Sequence, residues 1–143
     1  MGSDLAAESS ENSSEAACRV LMDWHAQVTL QQLADSVHVF GRDYIASRTP
    51  SAQALLLGDM QVWELEPGLQ LYRTQVVDQC DIRTSNLLRP SLKLLVLLEG
   101  IAQVRYGRYG CQWQLLDARQ GPCALLVNLA QEDCFMRQWQ TGR

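Results

Sequence analysis

From residue 58 onward the chain is interrupted by Gly or Pro at Gly58, Pro67, Gly68, Pro90, Gly100, Gly107, Gly110, Gly121 and Pro122. Most of the intervals are near the roughly 8–12 residues at which turns separate short strands, and they leave little room for helices. The segments between them fit strands. Residues 60–66 (MQVWELE) and 69–77 (LQLYRTQVV) alternate around a Pro67-Gly68 turn. Residues 80–88 are polar and read as a further strand with its turn, and 91–98 (SLKLLVLL) form an apolar run expected to be buried on both faces. Residues 102–106 and 112–116 flank Gly107-Arg108-Tyr109-Gly110, a hairpin signal. Residues 123–128 (CALLVN) and 135–139 supply the last candidates. This is the pattern of a small antiparallel barrel or sandwich, mainly β. Residues 92–98 are expected to be its central strand, Glu99-Gly100 the turn, and 101–106 the next strand.

The first third reads differently. Val20, Leu21, Trp24 and Val28 recur at spacings of three and four, and Leu30, Leu33, Ala34 and Val37 continue with a shifted phase. One or two N-terminal helices are therefore expected within residues 16–48, with Thr29 a candidate cap for the second. Residues 29–48 also have the outline of a helix-turn-helix, although His38 stands where Gly is usual at the turn and Phe40 where Ser usually caps the second helix. An amphipathic helix packed on the β-domain or on a partner is the simpler reading. Residues 1–15 are acidic and Ser-rich, lack the basic start and apolar core of a signal peptide, and read as a disordered leader.

Composition narrows the function. A net charge of −4 over 143 residues is the wrong sign for a domain that itself grips nucleic acid. No apolar run approaches the ~18 residues of a membrane span, so no membrane partner and a cytoplasmic location are expected. The five cysteines, at positions 18, 80, 111, 123 and 134, form no C-x-x-C pair and read as reduced, small apolar residues. Both histidines, His25 and His38, precede the β-region. A catalytic metal site normally includes imidazole, so no metal site is expected there. Nucleophile elbows and phosphate-binding glycine motifs are missing from the sequence too. No catalytic residue, no cofactor and no enzyme activity are expected.

What remains is a pocket. Trp63, Tyr72 and Trp113 lie on expected strands, with Arg73, Arg83, Arg89, Lys93 and Arg105 interspersed. Aromatic walls with a few cations suit an anionic or chelated ligand, and a small barrel has room for one. Trp63, Tyr72, Arg73, Arg83, Lys93 and Trp113 are the candidate ligand-binding residues. The competing reading makes the aromatics core and the cations a solvated face.

The succession GDMQVWELEPGLQLYRTQVVD, RPSLKLLVLLEGIAQVRYG and LLDARQGPCALLVN, across residues 58–128, resembles the N-terminal sensor domain of AraC/XylS-type bacterial transcription regulators, and among them the siderophore-uptake regulators of the pyochelin type. The resemblance implies a cupin-like effector-binding barrel over residues 55–140 that has lost its metal ligands. It also implies a small effector such as an iron-siderophore, a homodimer, and DNA contact made only through a C-terminal domain. The sequence stops at Arg143 without room for that domain, so it is expected to be a sensor domain excised from a longer regulator, with a stand-alone sensor domain as the alternative. The alternative is a ligand-free protein–protein interaction or dimerisation module.

Overall fold

A computed structural model describes residues 18–49, 53–107 and 112–142; the expected leader, 1–15, lies outside them. The described residues are mainly β. The strands are β1 (Arg19–Trp24), β2 (Gln27–Thr29), β3 (Gly41–Ala46), β4 (Ala54–Glu66), β5 (Leu69–Asp78), β6 (Arg83–Leu88), β7 (Ser91–Leu97), β8 (Ile101–Tyr106), β9 (Gln114–Asp117), β10 (Cys123–Leu129) and β11 (Asp133–Gln138). Between β2 and β3 stand a helix, α1 (Leu30–Ser36), and a 3-10 turn, Val37–Val39.

All pairings are antiparallel, and they form three sheets. The long strand β4 carries β1 and β2 in succession along one edge and β5 along the other. A five-stranded sheet runs β3-β6-β11-β8-β9, and β7 pairs with β10 alone. The sheets do not close on one another, which corrects the expected cupin-like barrel. β8 follows β7 in sequence but pairs with β9 and β11.

The N-terminal expectation is also corrected. Of residues 18–39, only 30–36 are α-helical, and 19–24 and 27–29 are strands. Val20, Leu21 and Trp24 fit a helical stripe, Val20, Met22 and Trp24 fit alternation, and the edge of β4 decides between the two. Ala26 turns the chain between β1 and β2 at φ 67°, a left-handed conformation that no α-helix passes through, and its carbonyl accepts from the Gly58 N–H at 2.9 Å. At Gly58 itself a side chain would collide with the backbone of β5 at Gln75 and Val76, so β4 and β5 close up only around glycine.

The helix that does form begins where the Thr29 cap predicts. Thr29 Oγ1 accepts from the Gln32 N–H at 3.1 Å, and Gln32 Oε1 accepts from the Thr29 N–H at 2.8 Å, a complete capping box. Leu33 from α1 joins Val28, Leu55, Leu56, Met60, Val62, Cys80, Ile82 and Trp139 in the core, so the apolar side of the helix is consumed internally. No second helix follows. β3 occupies the segment a recognition helix would need, and residues 29–48 are not a helix-turn-helix.

One buried polar cluster joins two sheets. Arg137 of β11 pairs with Asp78 at the end of β5 at 3.0 Å, with side-chain exposures of 22 % and 3 %. The Arg137 guanidinium also lies 3.6 Å from the Trp139 ring centroid, and Trp139 Nε1 donates to Thr84 Oγ1 of β6 at 2.8 Å. The second Asp78 oxygen accepts from the Gln140 N–H at 3.1 Å. Charges taken out of water need this degree of compensation.

Candidate functional site

The site is assembled from the loop before β3, the end of β6 and the start of β7. Two bonds from Arg89 fix that loop: its N–H donates to the Phe40 carbonyl at 3.1 Å, and its guanidinium donates to the His38 carbonyl at 2.6 Å. Gly41 follows, packed so closely on β6 that a side chain there would strike the Leu87 carbonyl. The Phe40 ring is thereby held between strands that are distant in sequence.

Tyr72 of β5 meets Phe40 edge-on, with ring centroids 5.2 Å apart and planes at 81°, an arrangement favoured by the aromatic quadrupole. Lys93 of β7 places its ammonium 5.8 Å from the same ring's centroid, within the ~6 Å reach of a cation–π contact. One phenyl ring thus joins a phenol and a cation.

The electrostatics of the cluster are unbalanced. Lys93 is half-buried and has no carboxylate partner among the described residues. Burial holds its pKa below the ordinary value of 10.5. The Tyr72 hydroxyl is buried without a hydrogen-bond partner, and burial pushes its pKa well above the usual 10.0. Asn86 of β6, only 5 % exposed, has an amide nitrogen that is likewise unpartnered. That nitrogen lies 3.4 Å from where a Cβ on Gly41, next to Phe40, would sit. An ammonium, an amide N–H and a phenolic O–H are all donors. Buried donors left unsatisfied cost free energy, and an acceptor-rich anion lying against the Phe40 ring would satisfy them.

A second aromatic pair lies on the five-stranded sheet. Tyr106 of β8 and Phe135 of β11, paired in register, have ring centroids 4.9 Å apart, and burial pushes the Tyr106 pKa up to about 12. Phe135 is also the register partner of Asn86.

Of the six candidate residues, the structure brings Tyr72 and Lys93 together. Arg73, adjacent to Tyr72, points to the opposite face of β5, where its guanidinium donates to Gln61 Oε1 at 3.1 Å and Gln61 donates to Asp23 at 3.1 Å. Trp63 shares that outer face of β4, opposite Leu71. Arg83 is exposed and lies 5.2 Å from the ring centroid of Trp113, which stands just before β9 and not on the expected strand, so these two make a separate pair. The expected pocket therefore does not collect all six. Sequence reasoning missed Phe40, assigned to a helix-turn-helix, and Asn86, in a segment read only as a polar strand. The sequence carries no signal for Asn86: residues 83–88 (RTSNLL) do not alternate in polarity, and the buried period of two at Thr84, Asn86 and Leu88 appears only in the structure.

Among the described residues, no three His, Cys, Asp or Glu side chains converge as a metal site, and no helix is long and apolar enough to cross a membrane. Residues 57–143 match the family model of the regulatory protein PchR N-terminal domain. The chain belongs to this family. The match takes in Tyr72, Asn86 and Lys93, and it assigns the domain a regulatory role. None of the curated proteins matches, and none of the solved structures does.

Proposed function

We propose that this regulatory domain senses a small anionic, aromatic or chelated effector held against Phe40 by Lys93, Tyr72 and Asn86. The observation that carries the reading is the Lys93 ammonium, half-buried and without a carboxylate partner among the described residues, on the same Phe40 ring that Tyr72 meets with a buried hydroxyl that has no partner among those residues. A ferric siderophore has the required chemistry: carboxylate or phenolate oxygens for the donors and a flat ring for Phe40. The metal would arrive as part of the ligand, so no metal site built from the protein is required. The output is transcription, with DNA read by a further domain of an AraC-type regulator. Binding changes that output only if the ligand prefers one of two arrangements of the regulator.

A thermal-shift panel tests this reading. It would contain ferric siderophores of catecholate, hydroxamate and phenolate type, the same chelators without iron, free ferric ion, sugars and aromatic acids. A ligand at 100 times its dissociation constant stabilises a fold by about 2.7 kcal/mol. The expected result is a rise in melting temperature with an anionic chelate, lost in Lys93→Met. A panel without any shift would remove the sensor reading in favour of a ligand-free interaction module.

A further inference from the structure

Lys93, Tyr72 and Asn86 stand on three different sheets. Tyr72 belongs to the sheet of β4 and β5, Asn86 to the five-stranded sheet, and Lys93 to the β7–β10 ribbon. The ribbon's two strands pair with each other and, among the described residues, with no other strand. No ladder of backbone hydrogen bonds among these residues therefore sets the distance from Lys93 to the other two donors. A two-stranded sheet is marginal in water unless one of its faces packs on something else. Exposed and half-buried side chains alternate along both strands, and the half-buried set includes Lys93, Leu95 and Leu97 on β7 with Val127, Leu125 and Cys123 opposite them on β10. None of these six is fully buried, whereas the core around Val28, Leu55, Leu56, Val62 and Ile82 is closed without them. Their apolar surface is left partly in water, which favours closer packing.

The connections suit movement. β7 is entered through Pro90 and left through Glu99-Gly100, and β10 is entered through Gly121-Pro122. Gly100 and Gly121 have φ of 82° and 141°, and no described atom lies within 4 Å of where a side chain on either would stand. Two contacts tether the ribbon's ends. The Ala118 N–H donates to the Gly100 carbonyl at 2.8 Å, and Arg42 of β3 holds Glu132, just past β10, through bonds of 2.7 and 3.1 Å. Tethered at its ends and without strand partners along its sides, the ribbon can rock about its own length, which carries Lys93 toward or away from Phe40. The present 5.8 Å from the Lys93 ammonium to the ring centroid is close to the ~6 Å limit of a cation–π contact.

We infer that the β7–β10 ribbon is a lid that closes on the effector: the bound anion draws Lys93 toward the Tyr72 and Asn86 donors, and the half-buried apolar face of the ribbon packs down with it. This rests on the effector reading above, and it supplies the second arrangement which that reading requires. In the free protein two forces on the ribbon oppose one another. Apolar packing favours closure, but closure pushes an ammonium out of water toward two further donors and gives it no acceptor. An anion at that point accepts from all three groups and removes the cost. It also joins three sheets that the backbone leaves separate, so the ordering falls on the ribbon, the element with the least packing to hold it elsewhere.

Cys123 is a native reporter of this movement. It is half-buried on β10 opposite Leu97, and Val127, the register partner of Lys93, is four residues further along. That separation is ~13 Å along the strand, so shielding of Cys123 reads the ribbon's movement and not a contact with the anion. The test is the rate at which iodoacetamide alkylates Cys123, followed by peptide mass mapping with exposed Cys18 as the control. The probes are the ferric chelates of the thermal-shift panel and the same chelators without iron. A chelate that raises the melting temperature is expected to slow alkylation of Cys123 by about tenfold or more, as closure of a locally open element does, and to leave Cys18 unchanged. The slowing should be lost in Lys93→Met. Hydrogen exchange of the free wild type needs neither variant nor ligand, and the β7 and β10 amides are expected to exchange faster than the paired amides of β4 and β5. A chelate that raises the melting temperature but leaves Cys123 as reactive as before overturns the lid and keeps the sensor reading. Exchange as slow in the ribbon as in β4 and β5 also overturns the lid. A panel without any thermal shift removes the sensor reading, and effector-driven closure falls with it.

Discussion

Arg137 and Lys93 are both held away from water, and they keep opposite company. Arg137 has Asp78 at 3.0 Å and Trp139 beneath it, and the second oxygen of Asp78 is taken by the Gln140 N–H. Burial pulls the Arg137 pKa down, and Asp78 pushes it back. Lys93 has the Phe40 ring, a neighbouring phenol without a partner, and no carboxylate among the described residues. The first cation is compensated from within the chain, joins β5 to β11, and has a structural role. The second has no carboxylate among the described residues, at a cost in stability, and the proposed effector is what would offset that cost.

Removing compensation from the first cation gives the largest expected effect. Asp78→Asn leaves Arg137 charged and unpaired, and breaking a buried pair in this way costs about 3–5 kcal/mol. Urea denaturation measures it. A loss below about 1 kcal/mol, the range of a surface pair, would end the distinction drawn between the two cations.

Lys93→Met is expected to move stability in the opposite direction. It removes an uncompensated charge and keeps most of the side-chain volume, so the apo domain should be as stable as wild type or slightly more so. Affinity for an anionic effector should fall about tenfold or more, equivalent to about 1.4 kcal/mol or more, measured by titration calorimetry. Destabilisation comparable to Asp78→Asn would show that Lys93 is structural.

The pH dependence sharpens the same point. Because burial lowers the Lys93 pKa, the folded domain gives up that proton before the unfolded chain does. Between the lowered value and 10.5, the unfolded state holds more protons and stability rises with pH; below that window the full cost of burying the charge is present. The stability difference between Lys93→Met and wild type should therefore shrink as pH rises through the window, as followed by urea melts at successive pH values. A difference independent of pH would exclude the burial of a charged Lys93 as its cause.

Tyr72→Phe should have the smallest effect. The hydroxyl lost has no partner, so stability should stay within about 1 kcal/mol of wild type or increase. Effector affinity should fall by only a few-fold in calorimetry. A marked loss of apo stability would reveal a partner for that hydroxyl.

The fold was legible where local signals and long-range pairing agree. The Pro67-Gly68 turn, the alternation of LQLYRTQVV and the Thr29 cap all have the structures their residues favour. Legibility failed where pairing decides. Residues 19–24 satisfy both periodicities, and only the edge of β4, some forty residues later, makes them a strand. The apolar run at 91–98 was read as buried on both faces because a continuous Leu-rich strand normally is, yet its alternate leucines face outward. Tyr72 and Lys93 could be selected by residue type alone. Their meeting on Phe40 depends on a loop clamped by Arg89 and on the close packing of Gly41 against β6, and no spacing in the sequence encodes either contact.

The central claim is that Lys93 is a cation kept waiting for an anion. NMR titration of the Lys93 ε-carbon, assigned by loss of its signal in Lys93→Met, tests this most directly. In the apo domain the pKa should lie below 10.5, and saturation with the effector chelate should raise it, because a bound anion favours the charged form. A Lys93 that titrates at its ordinary value and is unmoved by every ligand in the panel would contradict the account.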